Sequence, residues 1–129
     1  MRYDSAHWSI DVPEGWTFRQ DDECATFECE SSRGIVQISE YRKDCDVTDE
    51  DLRDFATETD LVRVAFPHFT GLCSRGRDDK FSWMKWWLRA GPSMVYVTHF
   101  CDPKERGNDD AEIDCMLRSL TPTDVTPKV

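Results

Sequence analysis

The segment that most narrows the fold is 81–101. Phe81–Arg89 and Met94–Cys101 are two runs rich in aromatic and apolar residues, parted by Gly91-Pro92. Glycine permits a positive φ and proline fixes its own, so the chain is expected to reverse there. Two apolar runs about such a turn predict an antiparallel hairpin. Successive side chains of a strand point to opposite faces. Met84, Trp86 and Leu88 therefore share one face, and Phe81, Trp83, Lys85, Trp87 and Arg89 the other. The first set reads as core packed under a helix. The second mixes large aromatics with cations, the composition enriched where proteins bind one another, unless a second helix covers it.

The rest of the chain supplies partners for that hairpin. Strands are expected at 7–12, 16–19, 24–30 and 35–41, with Pro13-Glu14-Gly15 as a turn, Asp21-Asp22-Glu23 as a break and Ser31-Ser32-Arg33-Gly34 as a loop. In 24–30, Ala25, Phe27 and Cys29 face opposite to Cys24, Thr26 and Glu28. A helix should start at Thr48, with Asp49, Glu50 and Asp51 at the positive end of its dipole. Leu52, Phe55, Ala56 and Val62 form its inner stripe, and the helix ends before Pro67. Phe66–Cys73 reads as a loop or short strand, Arg75–Asp79 as a polar turn and Asp102–Asp110 as a polar loop. A second helix spans about 109–120, with Ile113, Met116, Leu117 and Leu120 inward. Strands, helix, strands, helix predict an α+β fold: an antiparallel sheet of about six strands packed with two helices, in one domain over 1–122. The sequence from Thr121 on reads as a loose tail, its flexible part at 123–129. A chain of 129 residues suits one domain with a core able to fold without staples.

Charge excludes some partners. There are 26 acidic and 16 basic residues, a net charge of -10, and such a field repels phosphate backbones. The densest basic stretch, Arg75, Arg77 and Lys80, is interrupted by Asp78 and Asp79. No nucleic acid is expected; a basic protein is the electrostatic complement. No apolar run is long enough for a signal peptide or a membrane span, which predicts a cytoplasmic protein whose six cysteines are free thiols.

The plan and its residues resemble the PsbP/Mog-like fold family, which includes the DcrB-type proteins. Trp8-Ser9-Ile10-Asp11-Val12-Pro13-Glu14-Gly15-Trp16, the strand Ile35–Ser39, the Trp-rich hairpin and the closing Ile113–Pro122 carry the resemblance, over about residues 6–122. It implies a sheet with packed helices and a binding role, since members are mostly binding proteins. It carries no catalytic residue across, and fold analogy is a weak warrant for function.

Motifs of catalysis are missing: no Gly-x-Ser-x-Gly, no phosphate loop, no His-Glu-x-x-His. No catalytic residue and no cofactor is expected. Metal spacing is equally absent, although His99 and Cys101, two apart on a strand, share a face that His68 and Cys73 could approach. The more ordinary reading is a hydrogen-bonded histidine and a buried thiol. The acidic run Asp44–Asp51 lacks the glycine and closing glutamate of a calcium loop. The sequence thus favours a protein-binding module, adaptor-like, secretion-chaperone-like or toxin-immunity-like. Its acidic rim of Asp49, Glu50, Asp54 and Glu58 would steer a basic partner onto Trp83, Lys85, Trp87 and Arg89. A small-molecule or metal-binding domain using the sheet face, and a cysteine-dependent enzyme, are the alternatives.

Overall fold

The hairpin forms as its sequence requires and becomes the middle of a sheet. In the computed structural model, which describes residues 1–31 and 34–123, the strands are β1 Arg2–Asp4, β2 Trp8–Asp11, β3 Trp16–Gln20, β4 Ala25–Cys29, β5 Ile35–Arg42, β6 Val62–Ala65, β7 Thr70–Arg77, β8 Ser82–Ala90, β9 Ser93–Cys101 and β10 Thr121–Pro122. Helices α1 Asp49–Phe55 and α2 Asp110–Ser119 and a 3-10 turn at Pro103–Glu105 complete the chain. Gly91 takes φ +56°, the left-handed conformation its turn needs. Seven strands run antiparallel in the order β3-β4-β5-β9-β8-β7-β6, and β1-β2-β10 form a small second sheet.

The two faces of the large sheet bury different cores. On one, Phe27, Val36, Ile38, Trp86, Leu88, Val95 and Val97 pack with Ile113, Met116, Leu117 and Leu120 of α2 and its end, and with Trp8 and Ile10 of β2. On the other, Leu72, Trp87 and Met94 pack with Val47, Leu52 and Ala56 around α1. This is the expected α+β plan, with Met84, Trp86 and Leu88 on the α2 side.

Several elements differ from expectation. The first helix is shorter: it stops at Phe55, and Ala56 is already extended (φ -80°, ψ 125°). Val62, expected on its inner stripe, belongs instead to β6, where Val62 and Val64 alternate with Arg63 and pair with Cys73 and Gly71. Arg75 to Arg77, expected in a turn, extend β7; the reversal comes at Asp78, whose carboxylate accepts from Lys80 N and Phe81 N, both at 2.8 Å. Thr121 and Pro122, expected in the tail, pair with Ser9 and Trp8 of β2. Arg2 ties this small sheet together, donating to Asp11, Ser9 and Thr121. Of the flexible part expected at 123–129 only Thr123 lies within the described residues, and of the expected loop only Ser31 and Gly34 do. Among the described residues no helix is long and apolar enough to cross a membrane.

The start of α1 is fixed as its sequence predicts. Thr48 Oγ1 accepts from Asp51 N at 3.2 Å, and Asp51 Oδ2 accepts from Thr48 N at 2.9 Å, a reciprocal box that satisfies two otherwise unpaired donors. Lys43 Nζ adds an ion pair to Asp51 at 2.8 Å. With seven residues and Leu52 as its buried residue, α1 depends on that box. Thr48→Ala is expected to lower the unfolding free energy by about 1 kcal/mol, read as a shift in urea midpoint with an unchanged slope.

Candidate functional site

Three places bring chemically distinct side chains together: the α1 face of the hairpin, the His99 region, and the groove beside α2. On the first, the charges expected to await a partner meet one another. Lys85 Nζ lies 2.9 Å from Glu58 Oε1, and Arg89 Nε lies 2.8 Å from Asp49 Oδ1, with Arg63 at 3.6 Å from the other oxygen of Asp49. Burial pushes the Glu58 carboxyl up, but its hydrogen bonds from Lys85 and nearby backbone bring it net below the usual value. The hydrogen bond from Arg89 likewise holds Asp49 low. Glu50 and Asp54 remain exposed and outside any ion pair among the described residues. Trp87 is 4% exposed, packed with Leu52 and Met94 and stacked on Tyr96 at 5.4 Å. As an anchor for a partner it is therefore corrected: α1 covers it, since the cations at either end of the strand clamp α1 and the segment after it. Trp83 is half-buried, beside Phe100 at 6.4 Å, with Lys85 Nζ 6.0 Å from its ring.

The His99 region gathers a different set from the one proposed on sequence. His99 and Cys101 do share a face of β9 and are both buried. His68 is exposed in the β6–β7 turn, at the end of the sheet where Thr70 pairs with Arg89, whereas Cys101 pairs with Ser82 at the opposite end. Cys73 pairs with Trp86, two residues along β8 from Met84, the partner of His99. The four-residue set His68, Cys73, His99, Cys101 is thus not assembled. Burial pushes the Cys73 and Cys101 thiols up, with carboxylates adding to the effect at Cys101; a thiol so held is a poor nucleophile.

What converges instead is Cys29 from β4 with Asp109 and Glu112 from the start of α2, and His99 from β9 stands beside Asp109. One ligand atom each of Cys29, Asp109 and Glu112 lies within 4.8 Å of the others. His99 Nε2 stands 3.5 Å from Asp109 Oδ2. Both side chains are buried, at 3% residue exposure each. Gly34 closes the space between them: a Cβ there would overlap Asp109 Oδ2 and come to 2.9 Å of His99 Nε2. Burial drives the imidazole below its ordinary value, with Asp109 opposing. Cys29 had an inward-facing parity in the sequence; Asp109 and Glu112 carried no signal, because nothing local joins the start of α2 to the end of β4.

The third place is a groove of about 390 Å³ between α2 and the outer strands. The α2 face of the sheet is wider than one ten-residue helix and the small sheet can cover, and β6 and β7 lie beyond them. Phe66, Met84, Trp86, Ile113 and Leu117 form its apolar walls. Arg75 and Asp110 stand on its rim, neither in an ion pair among the described residues, while Arg118 is paired to Asp114 at 2.8 Å. Val62 and Val64 sit on the same side of β6, with Val62 63% exposed. Among the described residues no strand pairs with the outer side of β6. No family model matches the chain, and no curated protein is similar to it.

Proposed function

We propose that the chain is a protein-binding module whose contact surface is the groove between α2 and β6–β8, extended by the open edge of β6. The observation that carries this reading is an edge strand whose exposed Val62 and half-buried Val64 share a side, with Val64 lining an apolar groove. An unpaired edge offers a row of backbone donors and acceptors to an incoming strand. Alternate side chains of that strand would enter the groove, a recurrent way of recognising extended peptides. The occupant is therefore an extended, apolar segment of a partner protein. The net charge of -10 favours basic residues flanking it. A binding role is also what the PsbP/Mog-like resemblance implies. Relative to the sequence expectation, the surface moves from the α1 face to the α2 face, because α1 and its ion pairs already occupy the former.

The test is capture of partners from lysate by the purified chain, with amide hydrogen exchange on the isolated complex. Binding is expected to protect 62–66 and to be lost in Val62→Asp with Phe66→Asp, while Trp83→Ala leaves it intact. Capture abolished by Trp83→Ala but indifferent to the groove pair would overturn the assignment, as would the absence of any stoichiometric partner.

A further inference from the structure

We propose that Cys29, His99, Asp109 and Glu112 form a binding site for one divalent cation of the zinc class. The donors come from three separate elements and meet in the interior. A tetrahedral zinc ion, with bonds of about 2.0 to 2.3 Å, holds its ligand atoms roughly 3.3 to 3.8 Å apart. His99 Nε2 and Asp109 Oδ2 are at 3.5 Å, within that range. Cys29, Asp109 and Glu112 lie within 4.8 Å of one another; His99 reaches this group through Asp109 alone, so binding has to draw the imidazole towards Cys29 and Glu112.

A second observation points the same way. His99 Nε2 is buried and has no hydrogen-bond partner of acceptable geometry among the described residues, its approach to Asp109 notwithstanding. A buried ring nitrogen without a partner is costly, and a metal bond removes that cost. The surroundings suit such a bond. Gly34 brings its backbone against both the imidazole and the carboxylate, where a Cβ would overlap Asp109 Oδ2. Trp16 Nε1 donates to Glu112 Oε2 at 3.0 Å, an outer contact of the kind that aims a ligating carboxylate. Thiolate and imidazole select against magnesium and calcium, which take oxygen ligands, and in favour of zinc and its neighbours. Binding releases the Cys29 proton to solvent, so affinity should rise with pH. The ion would pin the start of α2 to β4 and β9. The proposal is independent of the groove reading.

The test uses full-length protein stripped by chelator, with the exposed Cys45 and Cys115 and Cys24 changed to serine to remove adventitious thiols. Zinc is titrated in competition with a chromophoric chelator. One equivalent is expected, with affinity falling on the order of a hundredfold or more in Cys29→Ser and in Glu112→Gln, beyond what loss of an outer contact alone would do. Glu112 is only partly buried and its glutamine can still accept from Trp16, so that variant should keep the fold; circular dichroism checks it. Cobalt should give a sulfur-to-metal charge-transfer band that Cys29→Ser abolishes. No stoichiometric uptake, uptake indifferent to both variants, or uptake that follows Cys101→Ser instead would each overturn the proposal.

Discussion

Gly71→Ala is expected to cost about 3 to 5 kcal/mol of unfolding free energy, the range of severe overpacking. Gly71 sits in β7 opposite Leu88, and a Cβ there would overlap the carbonyl oxygen of Trp87 and come to 3.0 Å of Leu88 Cα. Both obstacles are backbone, in a strand held on its far side by β9 along its whole length. A flexible side chain could swing away; β8 cannot. The contrast is Gly91, whose Cβ would meet nothing within 4 Å although φ is +56°. Gly91→Ala should cost only about 1 kcal/mol, the strain of alanine at positive φ. Urea denaturation of both variants separates the causes. If Gly71→Ala lost no more than Gly91→Ala, β7 would have to be free to move away from β8, and the rigidity assigned to the sheet would be wrong.

Trp8→Ala is expected to cost about 3 to 5 kcal/mol, the usual loss for a large buried aromatic. Trp8 is 2% exposed, its ring 5.5 Å from that of Tyr3. It lies on the strand that joins the small sheet, and Pro122 pairs with it on the far side. Its loss opens a cavity where two sheets and α2 meet, so the small sheet should loosen first. Far-ultraviolet circular dichroism through a thermal ramp gives the loss, and hydrogen exchange should show β1 and β10 exchanging early. A change under about 1 kcal/mol would mean that the small sheet is not held through this ring.

Much of this architecture could be read from residues. The hairpin was legible because Gly91 and the alternation on either side specify both turn and faces. The start of α1 was legible because Thr48 and Asp51 form a local box. The end of α1 was not: Val62 suits a period of 3.6 and a period of 2 equally, and only its pairing with Cys73 decides. The small sheet escaped notice because Arg2–Asp4 and Thr121–Pro122 are too short to show any period. The mixed aromatic and cationic make-up of one face of β8 is legible in its alternation. Its closure by Glu58 and Asp49 was not legible, since each ion pair spans a long stretch of chain. The cluster of Cys29, His99, Asp109 and Glu112 is the extreme case, in which no local spacing exists and only the packing of the start of α2 on the sheet brings these residues near one another.

The position of the β8–β9 hairpin also has a bearing on how the chain reaches this state. Its strands are neighbours in sequence, so closing their turn costs little chain entropy, and yet they occupy the interior of a seven-stranded sheet. The pairing of β5 with β9, by contrast, must close a long loop that contains α1, β6, β7 and β8. The hairpin can therefore act as an early template, and docking of β5, the longest-range pairing of the large sheet, is expected to set the slow step. Changes inside the hairpin should slow folding, whereas changes in β6, which joins last at the rim, should mainly hasten unfolding.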